Sequence, residues 1–312
     1  MLIISCLVKK VIYLKMRKII VLLLIFVFTS VLVNAQYNIH WRKIRHEVSL
    51  GLGTTNFLGE LGGSNTVGSH FVKDFDFTSS RWLVQAGYSY KIAEQFAFRT
   101  NVLFGRLYGN DALTDEIHRN SRNLHFRSPI VDVAATIDFS IIKERYGHRY
   151  DLRRIKGKSN LPNLYIYTGI AGTWFNPKAQ YTDGEWYALQ PLGTEGQGII
   201  ATREKYSKIC VSIPVGIGLN YIIDRNFGIG FEYGIRYMFS DYVDDVSNTY
   251  VDPAIFADPM AAYFSSGTAS SDWPGVGAGQ QRGQNQYNDA FMFLTIKATY
   301  KIRPRNPGMP KF

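Results

Sequence analysis

From Ile209 to Tyr221 the chain alternates without a break: Ile209, Val211, Ile213, Val215, Ile217, Leu219 and Tyr221 share one face of an extended strand, and Cys210, Ser212, Pro214, Gly216, Gly218 and Asn220 share the other. After a tight turn at Asp224, Arg225 and Asn226 the pattern repeats. Phe227, Ile229, Phe231, Tyr233, Ile235, Tyr237 and Phe239 oppose Gly228, Gly230, Glu232, Gly234, Arg236 and Ser240. A period of two sustained over such lengths is incompatible with a helix and demands a sheet with one apolar face. The same reading places strands near 46–53, 82–92, 96–105, 130–142, 164–175 and 290–302. That makes about eight in all, several exceeding the ~9–11 residues with which a tilted strand crosses a bilayer.

Connection lengths supply the topology. The turns around 93–95 and 223–226 are short, whereas 54–81, 106–129, 176–208 and 241–289 are long. Short turns on one side and long loops on the other predict an all-β, eight-stranded antiparallel transmembrane β-barrel, with the short turns periplasmic and the long loops extracellular. A soluble lipocalin-like barrel would also alternate, but it needs an apolar interior and a solvated outer face. The non-aliphatic face here is rich in glycine and small residues with few charges, which suits a narrow lumen better than water.

A barrel of eight strands has a lumen only wide enough for side chains. Arg99, Asp132, Asp138, Glu232, Arg236 and Lys297 are therefore expected to project inward and pair as a lumen charge network, giving a plugged barrel and no diffusion pore. Trp82, Phe104 and Phe239 at one end, and Tyr90, Phe96, Tyr221, Phe227 and Tyr300 at the other, fit two interfacial aromatic girdles.

Ahead of the strands, Met16-Arg17-Lys18 leads into an apolar run from Ile19 to Val33 and then Asn34, Ala35 and Gln36. This is the form of a secretory signal peptide cleaved near Ala35/Gln36, its apolar run being shorter than a membrane span. The expected organisation is 1–35 signal peptide with an upstream extension, 36–45 periplasmic segment, 46–302 barrel in the outer membrane, and 303–312 periplasmic tail. Of the net charge of +10, about half leaves with the basic leader. The connection 143–163 carries a charge equal to the whole remainder, its Lys143, Arg145, Arg149, Arg153, Arg154, Lys156 and Lys158 facing only Glu144 and Asp151. Basic residues confined to one turn, with few aromatics interleaved, argue against nucleic-acid binding. They suit anionic headgroups or a periplasmic partner.

Motifs of chemistry are sparse. Asp241, Asp244 and Asp245 in DYVDDVSNTYVD hint at calcium, but the spacing departs from the EF-hand loop and its terminal Glu is missing, so an ordinary capped loop is expected. His118, Ser121, His125 and Ser128 cluster in one outer loop as the parts of a hydrolase would, a coincidence expected of any serine-rich sequence. Arg122, Arg127 and His125 there suit lipopolysaccharide phosphates equally well. No catalytic residue, metal ligand, cofactor-binding residue or cofactor is assigned. The Gly- and Ser-rich run 264–286 reads as a flexible outer loop.

The strings GELGG (59–63), RNLHFRSP (122–129), NPKA (176–179), LQPLGTEGQG (189–198) and DYVDDVSNTYVD (241–252) resemble the PorG-like outer-membrane β-barrel family of Bacteroidota over residues 46–302. The resemblance implies a non-enzymatic component of the type IX protein secretion apparatus, or a close paralogue, embedded in outer-membrane lipid. It would anchor a periplasmic ring of a PorK-like lipoprotein and a PorN-like ring protein. By their charge alone, and not by the resemblance, Lys143, Arg145, Arg149, Arg153 and Arg154 are the expected docking residues. The alternatives are a barrel whose extracellular loops bind a surface ligand or glycan, and a lipid-acting outer-membrane enzyme.

Overall fold

The computed structural model describes residues 44–61, 78–113, 119, 122–144, 161–224, 226–266 and 277–303. Ten strands form: β1 (His46–Leu58), β2 (Arg81–Lys91), β3 (Phe96–Asn110), β4 (His125–Ile142), β5 (Asn163–Phe175), β6 (Lys178–Gln180), β7 (Trp186–Ala188), β8 (Ile209–Ile222), β9 (Phe227–Met238) and β10 (Ala290–Ile302). The sheet order is β3-β2-β1-β10-β9-β8-β5-β4, and pairing of β3 with β4 closes it. The fold is thus a closed eight-stranded antiparallel β-barrel without exposed sheet edges. The two short strands β6 and β7 form a hairpin hung on the outer end of β4, Lys178 pairing with Arg127.

The alternation read from the sequence maps onto the wall directly. Leu50 and Leu52 of β1, Val102 of β3, Val133 and Ile137 of β4, Ile170 of β5, Val211 and Val215 of β8, Phe231 of β9 and Ile296 of β10 all stand exposed on the outside. An uninterrupted belt of this kind far exceeds the apolar patches a soluble protein presents, and it belongs in hydrocarbon. Trp82 and Phe104 touch at the loop end of the belt, ring centroids 5.3 Å apart, and Phe227 and Tyr300 do so at the turn end, 4.9 Å apart. Both pairs sit where aromatic side chains anchor a barrel at the two interfaces.

Two boundaries differ from the sequence reading. β3 and β4 run to 15 and 18 residues, longer than the ~9–11 needed for a span, so their hairpin stands beyond the membrane on the long-loop side and shortens the expected 106–129 loop. The long connections also fold. Residues 176–208 contain the β6–β7 hairpin and a helical turn, α1 (Leu189–Leu192), and 241–289 contain α2 (Pro259–Ser266). The run 264–286 is accordingly not uniformly a flexible loop: its first residues close α2, and Arg282 is buried.

Candidate functional site

The interior is layered. Toward the short-turn end, Glu232 on β9 is fully buried and accepts hydrogen bonds from Lys297 Nζ at 2.7 Å, Tyr165 Oη at 2.7 Å and Arg99, with Gln85 Nε2 at 3.4 Å. Arg99 Nε also meets Asp138 at 3.0 Å, and its guanidinium lies 4.5 Å from the centre of the Tyr167 ring. A second pair reaches across the lumen from β9 to β4: Arg236 Nε lies 3.0 Å from Asp132, whose other oxygen accepts from Thr173 Oγ1 at 2.8 Å. All six residues expected in the lumen therefore meet there as three cations and three carboxylates. In a low-dielectric interior, charges persist only when compensated this closely.

The glycines opposite explain how such bulk fits. A methyl group on Gly216 or Gly234 would strike the Tyr167 hydroxyl, and one on Gly218 would strike Tyr165. The small inward faces of β8 and β9 thus leave room for the tyrosines and arginines of β3 and β5.

Above this layer the lumen turns apolar, which the sequence reading did not anticipate. Phe57, Leu83, Leu103, Leu107, Phe126, Ile130, Phe175, Phe291 and Phe293 point inward and pack with Val243 and Val246 from the long loop after β9. The aromatic stack continues outward through Tyr206, which lies 6.3 Å from Phe175 and 4.7 Å from Tyr242, near-parallel to both.

Over this plug the outer loops fold into a cap. Arg122 Nε and Nη2 grip the Asp111 carboxylate at 2.7 and 3.0 Å, and the same guanidinium donates to the carbonyls of Arg282 and Glu60. Arg282 Nη1 meets Glu195 at 2.9 Å and the Asp245 carbonyl at 2.6 Å. Glu195 also accepts the amides of Ser247 and Asn248. It is placed by a tight loop in which Gly193, Gly196 and Gly198 all take left-handed φ angles, a conformation that side chains resist. Glu60, Arg122, Glu195, Asp244 and Asp245 come from four of the five strings that carry the family resemblance, and here they join one hydrogen-bonded unit. Arg282, Tyr206 and Asp111 were missed as partners. The Gly-x-x-Gly-x-Gly spacing around Glu195, which the sequence reading passed over, is the signal that would have marked an ordered loop.

The three acidic residues read as a possible calcium site serve the cap instead. Asp244 accepts from the amides of Val246 at 3.1 Å and Leu61 at 3.3 Å, and Asp245 from the Tyr206 hydroxyl at 2.6 Å. Among the described residues, no group of three or more His, Cys, Asp or Glu could hold a metal ion. Burial pushes Glu60 and Asp241 up to about 7 and Asp245 to about 6, and raises Asp244 and Asp289 well above the ordinary carboxylate range.

His118 and Ser121 lie outside the described residues. His125 and Ser128 have opposite parity on β4: His125 Nε2 accepts the Gln180 amide at 3.0 Å on the outer surface, whereas Ser128 is buried and its Oγ accepts the Asn176 amide at 2.9 Å. The barrel wall separates them, so they cannot act as base and nucleophile. Arg122, grouped with Arg127 and His125 as a phosphate ligand from the sequence, is committed to the cap.

At the short-turn end, Glu144 bridges Lys91 at 2.6 Å and Lys301. Burial works to raise the Glu144 pKa, but the two lysines outweigh it and hold it at about 2. Lys143, the first of the expected docking residues, meets Glu94 of the β2–β3 turn at 3.1 Å. Arg145, Arg149, Arg153 and Arg154 lie outside the described residues, as does the expected signal peptide.

Comparison with curated proteins gives no match. Among solved structures the chain is similar to Ail, the attachment invasion locus protein of Yersinia pestis, in complex with the heparin analogue sucrose octasulfate, at TM-score 0.38 and 10% identity, covering 83% of this chain and 99% of that one. It is also similar to Neisserial surface protein A at TM-score 0.36 and 10% identity, covering 82% and 97%. Outer membrane protein W of E. coli follows at TM-score 0.31 and 14% identity, covering 83% and 99%. By sequence, residues 17–254 match the family described as Domain of unknown function (DUF6089), to which this chain belongs.

Proposed function

We propose that this protein is a non-enzymatic outer-membrane barrel of the type IX secretion apparatus, PorG-like in kind, which anchors a periplasmic ring. The observation that carries the reading is the sealed lumen, with three cations and three carboxylates joined by four ion pairs below an apolar plug. A barrel filled in this way offers no path for solute, so its work lies at its two ends. The five strings resembling the PorG-like family support the choice of apparatus. In this reading residues 1–35 are removed as a signal peptide, 36–45 and 303–312 lie in the periplasm, and the basic connection beginning at Lys143 steers a ring of PorK-like and PorN-like subunits. Lys143 is engaged by Glu94 at 3.1 Å, so in this reading Arg145, Arg149, Arg153 and Arg154 are the charges offered to the ring.

The test is mass spectrometry of what co-purifies with a tagged copy extracted gently from outer membranes, against an unrelated tagged barrel. Recovery of the ring lipoprotein and ring protein, lost on reversing the basic connection's charges, is the expected result. Their absence under conditions that preserve the ring refutes the secretion role. A second reading, a barrel that binds a surface ligand through its outer loops, is favoured by the folded cap, since loops without a role need no buried Arg282–Glu195 pair. Deletion of the cap loops that spares secretion but abolishes surface binding would support it.

A further inference from the structure

The β3–β4 hairpin carries a cationic patch on its outer face that the cap does not use. Arg106 is the next outward-facing residue beyond Phe104 on β3, and Arg127 lies beyond Pro129 on β4. Arg106 pairs in register with Pro129, and Tyr108 with Arg127. Lys178, opposite Arg127 across the β4–β6 bridge, falls on the same face. Among the described residues none of the three cations has a carboxylate within salt-bridge distance. The charges acting on Arg127 are those of Arg106, which repels it, and Glu185, which attracts it. The guanidinium of Arg127 is held 3.9 Å over the Trp186 ring, and the His125 ring meets Trp186 edge-on at 5.8 Å. The patch is thus built and oriented, yet among the described residues no carboxylate, Glu185 included, closes a salt bridge to its like charges.

Its height identifies the counter-ion. Phe104, Trp82 and Trp174 form an exposed aromatic band on β2, β3 and β5, marking the edge of the hydrocarbon. Arg106 stands two residues beyond that band, about 7 Å along the strand at ~3.3 Å per residue, and Arg127 four residues beyond Val131, about 13 Å. With the strands tilted, those heights cover a headgroup layer and the sugars above it. Forked guanidinium groups match phosphate oxygens, and the apolar wall just below offers a bed for acyl chains.

We infer that Arg106, Arg127 and Lys178 bind the phosphates of an outer-leaflet phosphoglycolipid of the lipid A class. This rests on the outer-membrane reading above, not on the secretion role. To test it, the full chain is refolded in detergent and titrated by native mass spectrometry with bisphosphorylated lipid A, its dephosphorylated form, and inorganic phosphate alone. The expected result is retention of the phosphorylated lipid, at least tenfold weaker in Arg106→Gln/Arg127→Gln and partly weakened in Arg127→Gln alone, the milder variant should the double one misfold. Equal affinity of wild type and the variants, or of the two lipids, overturns the site. Saturation by inorganic phosphate without acyl chains overturns the lipid as its source. Insertion into vesicles, read by heat-modifiable gel migration, is scored separately: failure of the wild type to insert refutes the membrane reading itself, whereas insertion without lipid discrimination refutes only this site.

Discussion

Replacing Glu232 with Gln removes the carboxylate on which two buried cations converge. Arg99 would keep Asp138 at 3.0 Å, but Lys297, at 5% exposure, would keep only the Tyr165 hydroxyl. The lumen charge passes from balanced to +1 in a site closed above by the apolar plug. Removing one member of a buried pair costs about 3–5 kcal/mol, chiefly because the other is left uncompensated. Because Arg99 retains a partner, we expect the low end, about 3 kcal/mol. Lys297→Met on its own leaves Glu232 with Arg99, and combined with Glu232→Gln it removes the orphan, so the double variant should recover about 2 kcal/mol of the loss. The assay is equilibrium urea unfolding of the refolded barrel in vesicles, followed by tryptophan fluorescence and heat-modifiable migration. The slope should stay constant while the midpoint moves. A single-variant loss below about 1 kcal/mol, or no recovery in the double variant, would refute the view that compensation holds this layer together.

In planar bilayers the protein should show no ion conductance above background, and stepwise openings would contradict the sealed lumen. Arg122→Ala, which unties Asp111, Arg282 and Glu60 together, should speed proteolysis of the cap loops while leaving the barrel resistant; unchanged cleavage would show the cap to be held elsewhere. Glu60, Asp241 and Asp245 are raised in the folded cap, to about 7, 7 and 6. The folded cap therefore binds more protons than the unfolded loops, and its stability is full below the ordinary carboxylate pKa and falls as pH rises through about 6–7. Protection factors of the amides of residues 241–250, with the base-catalysed intrinsic exchange rate divided out at each pH, should accordingly be higher at pH 5 than at pH 8, and the reverse order would be fatal to this account. Glu144, held at about 2, has the opposite sign: its contribution is present above the ordinary carboxylate pKa and is lost as pH falls toward 2. Glu144→Gln should thus flatten the acid limb of barrel stability below pH 4.

The wall of this barrel was legible residue by residue, because a strand's side-chain period is set by backbone geometry and does not depend on what the strand pairs with. All eight barrel strands start or end within a few residues of where alternation placed them, and the six charged residues assigned inward by parity lie inward. The cap was not legible. Arg122 read as a surface cation and is held, partly buried, against the buried Asp111; Arg282 sat within a Gly- and Ser-rich run and closes a salt bridge to Glu195, 87 positions away. Partners so distant in sequence carry no local period, and only chain closure brings them together. The same holds for the layering inside the wall. Parity says that Leu103 and Arg99 face one way, but not that Leu103 and its neighbours join Val243 and Val246 in an apolar plug while Arg99 reaches Glu232 across the lumen. Sequence alone therefore determined the class of fold, the inward or outward parity of each strand and which face meets lipid, since those follow from local geometry. The tertiary structure decided what fills the barrel, what closes it and which cations are left without a partner, because those depend on which distant side chains reach one another.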